Sequence, residues 1–173
     1  MSLCKLREKD LPLILSWRNA PEVRKSMHSD QKISAQEHKT WFSNLKHSLS
    51  SYWYIYKNQE KIPVGVVYFT DYQPEKKRSS WGFYTAPNSP KGTGTNLGLN
   101  AINQAFDQLG LETLNAEVLS TNLRSLYLHK KLGFIIQSNN SGTQENNLIS
   151  VIHLTLSKSN WFVTKEKISS IIK

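Results

Sequence analysis

The sequence predicts a mixed α/β domain in which one sheet carries helices on its faces. Segments rich in aromatic and β-branched residues alternate along the chain with segments whose apolar residues recur at helical spacing. Hydrophobic residues make up 38% of the 173 residues, and a chain of this length buries enough surface to fold without a disulfide or a metal. Its one cysteine, Cys4, excludes an internal disulfide. We therefore expect a single domain spanning residues 1–173 and no metal site.

The first half of the chain predicts one strand, two helices and three further strands. Asp10 and Pro12 mark the start of the first helix, which ends near Asn19 because Ala20-Pro21 follows. Ser34 and Glu37 form a capping box ahead of the second helix. The predicted ranges are a strand over Leu3–Arg7, a helix over Ala35–Leu49, and strands over Tyr52–Lys57, Pro63–Thr70 and Ser79–Thr85, with a hairpin turn at Asn58–Lys61.

The second half predicts two helices that each end at a glycine, with strands between and after them. Gly110 and Gly133 are the two stop signals. The predicted ranges are helices over Thr95–Leu109 and Asn122–Leu132, strands over Leu114–Leu119, Phe134–Gln137 and Leu148–Leu156, a polar stretch over Ser138–Asn147, and a terminal helix or strap over Trp161–Ile172.

The chain is basic, with 22 Lys and Arg against 13 Asp and Glu, a formal charge of +9. Nucleic acid, an anionic membrane and phosphate-bearing small molecules all suit such a charge. The dense basic run Lys76-Lys77-Arg78 lacks interleaved aromatic residues, no apolar stretch is long enough to cross a bilayer, and no signal region is visible at the N-terminus. We therefore expect a cytoplasmic protein with small-molecule partners and without nucleic-acid or membrane partners. A non-catalytic basic binding module is the alternative from a different class.

The strongest local motif runs from Pro87 to Thr95, where a strand ends, a glycine-containing loop follows and a helix begins. Gly92 and Gly94 let the backbone approach a ligand closely, and the N-terminus of the new helix suits a pyrophosphate. Lys91 adds a full positive charge. Taken alone, this pattern also fits a tight turn between a strand and a helix.

A second motif lies downstream, from Asn122 to Phe134. At 100° per residue, Asn122, Leu126, His129 and Gly133 share one helix face. Taken alone, this segment also fits a capped helix that carries a surface histidine.

The two motifs, in this order and separated by one helix and one strand, resemble the GNAT superfamily of N-acetyltransferases. The acetyl-CoA loop of that family reads Gln/Arg-x-x-Gly-x-Gly/Ala, and a later helix reads Asn-x-x-Ala-x-x-x-Tyr-x-x-x-Gly-Phe. Matching positions are Gly92, Gly94, Asn122, Ser125, Gly133 and Phe134. Ser89 stands where the family has Gln or Arg, and His129 stands where it has Tyr.

The resemblance implies a mostly antiparallel sheet that is splayed in the middle and carries helices on both faces. It implies acetyl-CoA as cosubstrate. The residues expected to hold acetyl-CoA are Lys91, Gly92, Thr93, Gly94, Thr95, Asn122, Arg124 and Ser125. Dimers are common in the family, so the resemblance allows a homodimer.

The resemblance also implies that residue 129 protonates the departing CoA thiolate. Histidine suits a general acid because its usual pKa lies close to neutral pH. Tyr127 is the alternative donor, but it lies about 200° around the helix from His129, which favours His129.

The N-terminal half resembles two subfamilies, the protein N-terminal and ribosomal-protein acetyltransferases and the enzymes that acetylate a UDP-linked 4-amino-4,6-dideoxy sugar in pseudaminic acid biosynthesis, used in flagellin glycosylation. Gly82-Phe83-Tyr84 and the pairing of Arg18-Asn19 with His38 are closer to the sugar enzymes. The resemblance implies that Arg18, Asn19, Met27, His38 and Trp41 line the UDP-sugar site. Arg, His, aromatic and Met side chains suit a pyrophosphate, a uracil face and a deoxy-sugar methyl group.

The expected chemistry is direct attack of the sugar C4 amine on the thioester. Glu117 is the candidate base, acting through water, because it lies on the strand that flanks the cofactor. An N–H of the strand around Tyr84 is the candidate donor to the developing oxyanion. Acetylation of a protein N-terminus or a ribosomal protein by the same fold is the alternative function.

Overall fold

A seven-stranded sheet forms the centre of the computed structural model, which describes residues 1–140 and 150–171. The strands are β1 (Ser2–Lys5), β2 (Tyr52–Lys57), β3 (Pro63–Gln73), β4 (Arg78–Thr85), β5 (Thr113–Leu119), β6 (Ile135–Asn140) and β7 (Val151–Ser157). The helices are α1 (Leu11–Arg18), α2 (Pro21–Arg24), α3 (Ala35–Leu45), α4 (Thr93–Asn103), α5 (Leu123–Lys131) and α6 (Lys158–Ile171). The predicted mixed α/β class is confirmed.

The strand order is β1-β2-β3-β4-β5-β7-β6, and every neighbouring pair is antiparallel except β4 with β5. The parallel pair keeps register only from Arg78–Thr113 to Ser80–Asn115. Beyond those residues β4 continues to Thr85 and β5 to Leu119 without pairing with each other. The predicted splay in the middle of the sheet is therefore present, and it opens a gap between the carboxyl ends of β4 and β5.

Both faces of the sheet are covered, because successive side chains of each strand point to opposite faces. Ile55 and Val66 pack with α1, α2 and α3 in one buried cluster. The next residues along the same strands, Tyr56 and Val67, pack with α4 and α6 in the other cluster. The gap between β4 and β5 therefore connects a face covered by α1–α3 with a face covered by α4–α6.

Two helix boundaries differ from the prediction. The predicted helix over Ala35–Leu49 ends at Leu45, because Leu49 is 88% exposed and offers no apolar contact to extend the buried face. The helix predicted from Thr95 begins at Thr93, because Gly92 takes the cap position with φ at +88°. Its last turns, over residues 104–108, widen into a π-helical segment ahead of Gly110.

The remaining boundaries shift by a few residues. A short helix, α2, begins with Pro21 at its first position, so the proline that ends α1 also starts α2. The first strand ends at Lys5 and the third extends to Gln73. Of the polar stretch over Ser138–Asn147, the first three residues belong to β6 and the rest lie outside the described residues. The strand predicted from Leu148 is described from Val151, and the terminal segment is the helix α6.

Candidate active site

The gap between β4 and β5 opens into a cleft of about 370 Å³. One side, here called the helical wall, is built from the start of α4 and from α5: Gly92, Gly94, Thr95, Asn122, Arg124, Ser125, Tyr127, Leu128, His129 and Lys131. The other side, here called the sheet wall, includes Met27, His28, Tyr68, Tyr84 and Glu117. The cleft thus brings together residues that are far apart in the sequence.

The loop before α4 is shaped by its own hydrogen bonds. The hydroxyl of Thr93 donates to the carbonyl of Pro90 at 2.7 Å, and the Thr93 N–H donates to the same oxygen at 3.1 Å. Thr93 therefore closes the turn, whereas Gly94 and Thr95 line the cleft. A Cβ added at Gly94 would lie 3.3 Å from Leu128 of α5, so glycine keeps the entrance between the helices open. The first-turn N–H groups of α4 carry the positive end of the helix dipole toward this entrance.

Lys91, predicted to bind the cofactor, is exposed and does not line the cleft. Arg124 and Lys131 do line it, so positive charge reaches the helical wall from α5. At Gly92 and Gly94, the loop therefore presents backbone to the cleft, and the charged side chain of Lys91 lies outside it.

A chain of hydrogen bonds along one face of α5 links three predicted residues. The side-chain oxygen of Asn122 accepts from the Ser125 N–H at 3.1 Å, which caps the helix. The carbonyl of Ser125 lies 2.8 Å from Nδ1 of His129. Asn122 therefore fixes the start of the helix, and Ser125 fixes the ring of His129.

His129 is buried, with 4% of its surface exposed, among the rings of Trp81, Phe83 and Phe134. Burial lowers the pKa of His129, and the bond to the Ser125 carbonyl opposes this only in part. A carbonyl accepts a hydrogen bond, so Nδ1 carries the proton and Nε2 of the neutral ring is an acceptor. The neutral ring therefore has its acceptor at Nε2, and it can donate a proton from Nε2 only after taking one up there.

Tyr127, expected on the opposite side of the helix, lines the same cleft. The cleft is lined by residues along α5 as far as Lys131, so two residues that differ in direction both reach it. They differ in depth, because Tyr127 is 71% exposed at the mouth while the His129 ring contacts the β4 residues at the splay.

The register of β4 decides which backbone groups face the gap. The Ala86 N–H donates to Val64 on β3 at 2.9 Å, and alternate residues of an antiparallel strand direct their N–H groups to the same side. The N–H of Tyr84 therefore points to β3, and those of Phe83 and Thr85 point into the gap. The N–H groups of the strand around Tyr84 that face the gap are thus those of its two neighbours, and an oxyanion donor among them stays a prediction. The Tyr84 side chain lies buried in the α1–α3 cluster, where burial raises its pKa.

Glu117 projects from β5 on the side of α1–α3, because its neighbours Ala116 and Val118 are buried in the opposite cluster. Its two carboxylate oxygens each face an imidazole: Oε2 is 3.6 Å from Nε2 of His28, and Oε1 is 3.5 Å from Nδ1 of His153. Neither histidine was singled out from the sequence. His153 stands opposite Glu117 only through the β5–β7 register, and His28 lies in a loop without a periodic pattern.

The loop over residues 25–34 is fastened to the helices before it. The side chain of Asn19 donates to the carbonyl of Ile33 and accepts from its N–H, both at 2.8 Å. Arg18 donates to the Ser29 carbonyl at 3.1 Å, and Arg24 donates to the Asp30 carbonyl. Arg18 and Asn19, predicted to bind the acceptor, thus hold the loop that carries Met27 and His28 into the cleft.

His38 and Trp41 do not line the cleft. Their rings stack at 4.9 Å, and Trp41 packs edge-on against Trp53, whose ring stacks on Tyr68 at 4.3 Å. Burial lowers the pKa of His38. The rings of His38, Trp41 and Trp53 thus pack one against the next behind Tyr68, and Tyr68 is the one of the four that lines the cleft.

Comparison with known proteins assigns the family. Residues 1–135 match the model of the acetyltransferase (GNAT) domain, which covers most of the chain. The chain therefore belongs to the GNAT family of acetyltransferases, as its motifs predict, and is an N-acetyltransferase. This family uses acetyl-CoA.

Two curated relatives are both called acetyltransferase PseH and come from Campylobacter jejuni. One, from strain 81-176, is 30% identical over 132 residues, which is 76% of this chain and 81% of the relative. The other, from strain NCTC 11168, is 29% identical over 136 residues, covering 78% and 83%.

Solved structures share the fold at low identity. A spermidine N-acetyltransferase from Vibrio cholerae, in complex with CoA and spermine, superposes with a TM-score of 0.85 at 18% identity, over 93% of this chain and 97% of that one. A dodecameric form of the V. cholerae enzyme gives a TM-score of 0.77 at 18% identity, over 92% and 95%. The homodimer suggested by the sequence stays a prediction.

Within residues 1–140 and 150–171, no group of three or more His, Cys, Asp or Glu side chains has an arrangement that could hold a metal ion. Over the same residues, no helix is long and apolar enough to span a membrane.

Proposed function

We propose that this N-acetyltransferase moves the acetyl group of acetyl-CoA to the C4 amine of a UDP-linked amino-deoxy sugar of the pseudaminic acid type. Its similarity to two PseH acetyltransferases over about three quarters of the chain supports this reading. The resemblance of the N-terminal half to the sugar enzymes supports it further.

The helical wall fits acetyl-CoA. Gly92, at φ +88° with open space around its missing Cβ, leaves room for a ligand close to the backbone, and Gly94 keeps the space between α4 and α5 free. Arg124 and Lys131 supply positive charge for phosphates. The unpaired edges of β4 and β5 offer backbone groups to an extended arm that enters the gap. When bound, acetyl-CoA supplies the activated acetyl thioester.

The charge behind the sheet wall is the observation that carries the choice of acceptor. The guanidinium of Arg18 lies near Tyr68 and Tyr84, where it lowers the pKa of both hydroxyl groups against the larger effect of burial. Among the described residues, Arg18 pairs with no carboxylate, and its Nη1 atom is buried without a partner. An uncompensated positive charge here attracts an anionic acceptor such as a nucleotide sugar and repels a polyamine. Two carboxylates, Glu22 and Glu117, line the cleft, and neither of them forms an ion pair with Arg18.

The two walls divide the chemistry between them. Glu117 on the sheet wall takes the first of the three protons of the acceptor ammonium, and the N–H groups of Phe83 and Thr85 face the position where negative charge develops on the carbonyl oxygen. His129, which lines the cleft, takes the second ammonium proton at its unprotonated Nε2 and delivers it to the sulfur that leaves. His129 is thus the donor to sulfur that the sequence predicts, and it is first protonated by the acceptor nitrogen.

A thiol-release assay with a panel of amines tests the proposal. The panel holds a UDP-linked 4-amino-4,6-dideoxy sugar, the same sugar without its nucleotide, spermidine and a peptide with a free N-terminus. We expect kcat/KM to be at least about tenfold higher for the nucleotide sugar, because charge complementarity and uracil stacking act only on that acceptor. A higher value for spermidine or the peptide would assign the protein another acceptor class.

A further inference from the structure

The His28–Glu117–His153 cluster lies at the sheet wall of the cleft and joins three separate elements. Glu117 belongs to β5, His153 to the neighbouring strand β7, and His28 to the 25–34 loop. One carboxylate oxygen faces each imidazole, at 3.6 Å and 3.5 Å. Each oxygen of the carboxylate thus has one imidazole nitrogen within ion-pair distance, at the end of β5 that borders the gap.

Stability does not account for this arrangement. Glu117 is 55% exposed and His28 is 61% exposed, and ion pairs at such exposure add little to folding. Glu117 and His28 both line the cleft, so the cluster faces the space that the acceptor must occupy. His153, at 35% exposure, lies beside the other oxygen of the carboxylate, on the adjacent strand.

We propose that this cluster is a proton relay: Glu117 accepts the proton of the acceptor ammonium, and His28 and His153 position its carboxylate and pass that proton to solvent. This relay rests on the proposed acetyl transfer. An ammonium acceptor carries three protons and the product amide retains one, so two must leave nitrogen. The first goes to Glu117 and frees the lone pair, which forms the N–C bond as the C–S bond breaks. The second goes through His129 to the thiolate and gives the CoA thiol.

Besides the amide and the CoA thiol, the reaction therefore releases one proton, and this proton resides on Glu117 after each turnover. An imidazole on each oxygen provides two acceptors that connect the carboxylate to solvent. His28 reaches Glu117 from the 25–34 loop, whose carbonyl groups accept hydrogen bonds from Arg18, Asn19 and Arg24. These hydrogen bonds therefore position His28 for the relay.

A double-mutant cycle tests the relay, because it separates residues that act through Glu117 from residues that act alone. The variants are Glu117→Gln, His28→Gln, His153→Gln and the two double substitutions, with His47→Gln as a matched exposed control outside the cleft. We expect Glu117→Gln to lower kcat about 100-fold. Each histidine substitution should lower kcat roughly 3- to 100-fold, with the KM for acetyl-CoA unchanged. In the Glu117→Gln background, neither substitution should lower kcat further.

Three results would overturn the relay. They are an unchanged kcat in the single histidine variants, a full additional loss in the Glu117→Gln background, or a raised acceptor KM at constant kcat, which would make His28 a binding residue. The cycle is measured on whichever amine of the panel is turned over best. If that amine is not the nucleotide sugar, the acceptor proposal fails while the relay is still measured. If no amine is acetylated, both fail.

Discussion

Replacing Gly94 by leucine should remove acetyl-CoA binding without unfolding the protein. A Cβ at this position already lies 3.3 Å from Cδ2 of Leu128 and 4.0 Å from Phe83, so the rest of a leucine side chain must occupy the entrance between α4 and α5. Gly94 lies in the first turn of α4 at a backbone conformation that other residues adopt, since it is not among the glycines with positive φ. Leucine also has a better helix propensity than glycine, by up to about 0.8 kcal/mol.

The magnitude follows from ligand linkage. Acetyl-CoA at 100 times its Kd should stabilise the native protein by about 2.7 kcal/mol. For a chain of this size that gain raises Tm by roughly 5–11 °C. A Kd that is ten times weaker halves the gain to about 1.4 kcal/mol, and we expect Gly94→Leu to retain half of the rise in Tm or less. Differential scanning fluorimetry with and without acetyl-CoA measures both quantities, and Tm without ligand should stay within about 3 °C of the native value.

Gly110→Ala is the matched control, because it should show the opposite behaviour. Gly110 has φ at +66°, and no atom lies within 4 Å of an added Cβ. Alanine there strains the backbone by about 1–2 kcal/mol and lowers Tm, while the cleft is untouched and the rise in Tm with acetyl-CoA is kept. A native rise in Tm for Gly94→Leu would refute the placement of acetyl-CoA at the start of α4.

Three further predictions concern proton transfer, pH and the 25–34 loop. His129→Gln should lower kcat roughly 100-fold in the thiol-release assay, whereas Tyr127→Phe should change it less than about twofold; the reverse pattern would assign the donor to Tyr127. Because burial lowers the pKa of both His38 and His129, each of these imidazoles binds a proton more readily in the unfolded chain than in the native protein. The stability that comes from these two neutral imidazoles is complete above about pH 6.5 and is lost as the pH falls below it, by at most about 1.4 kcal/mol per pH unit for each histidine. A urea unfolding midpoint that is flat from about pH 7 to 5 would contradict this loss of stability. Asn19→Ala removes both hydrogen bonds to Ile33, and it should cost about 1–3 kcal/mol of stability and raise the acceptor KM while acetyl-CoA still raises Tm.

The sequence predicts the helix ends well where a local interaction decides them. Both bonds of the Ser34–Glu37 capping box are present, at 2.7 Å and 3.2 Å. Gly133 ends α5 with φ at +90°, and an added Cβ there would lie 2.5 Å from Thr164, so this stop is set by conformation and packing together. The two cofactor motifs are local in the same sense, which is why the family could be predicted from them.

The acceptor side of the cleft could not be predicted in this way. The contact between Glu117 and His153 exists because of the β5–β7 register, and register depends on the whole sheet rather than on either segment. His28 reaches Glu117 because side chains from α1 and α2 hold the backbone of a loop that has no pattern of its own. The sequence also leaves open which N–H groups around Tyr84 face the gap, since only the pairing of β3 with β4 decides this.

A competition experiment tests the acceptor assignment most directly. Equal concentrations of the UDP-linked 4-amino-4,6-dideoxy sugar, spermidine and a peptide with a free N-terminus are incubated in one tube with limiting acetyl-CoA, and the acetylated products are quantified by mass spectrometry. Because the three amines compete for one enzyme, the product ratio equals the ratio of their kcat/KM values at equal concentration. The charge of Arg18 behind the sheet wall predicts that the acetylated sugar nucleotide dominates. Acetylated spermidine or peptide as the main product would contradict it.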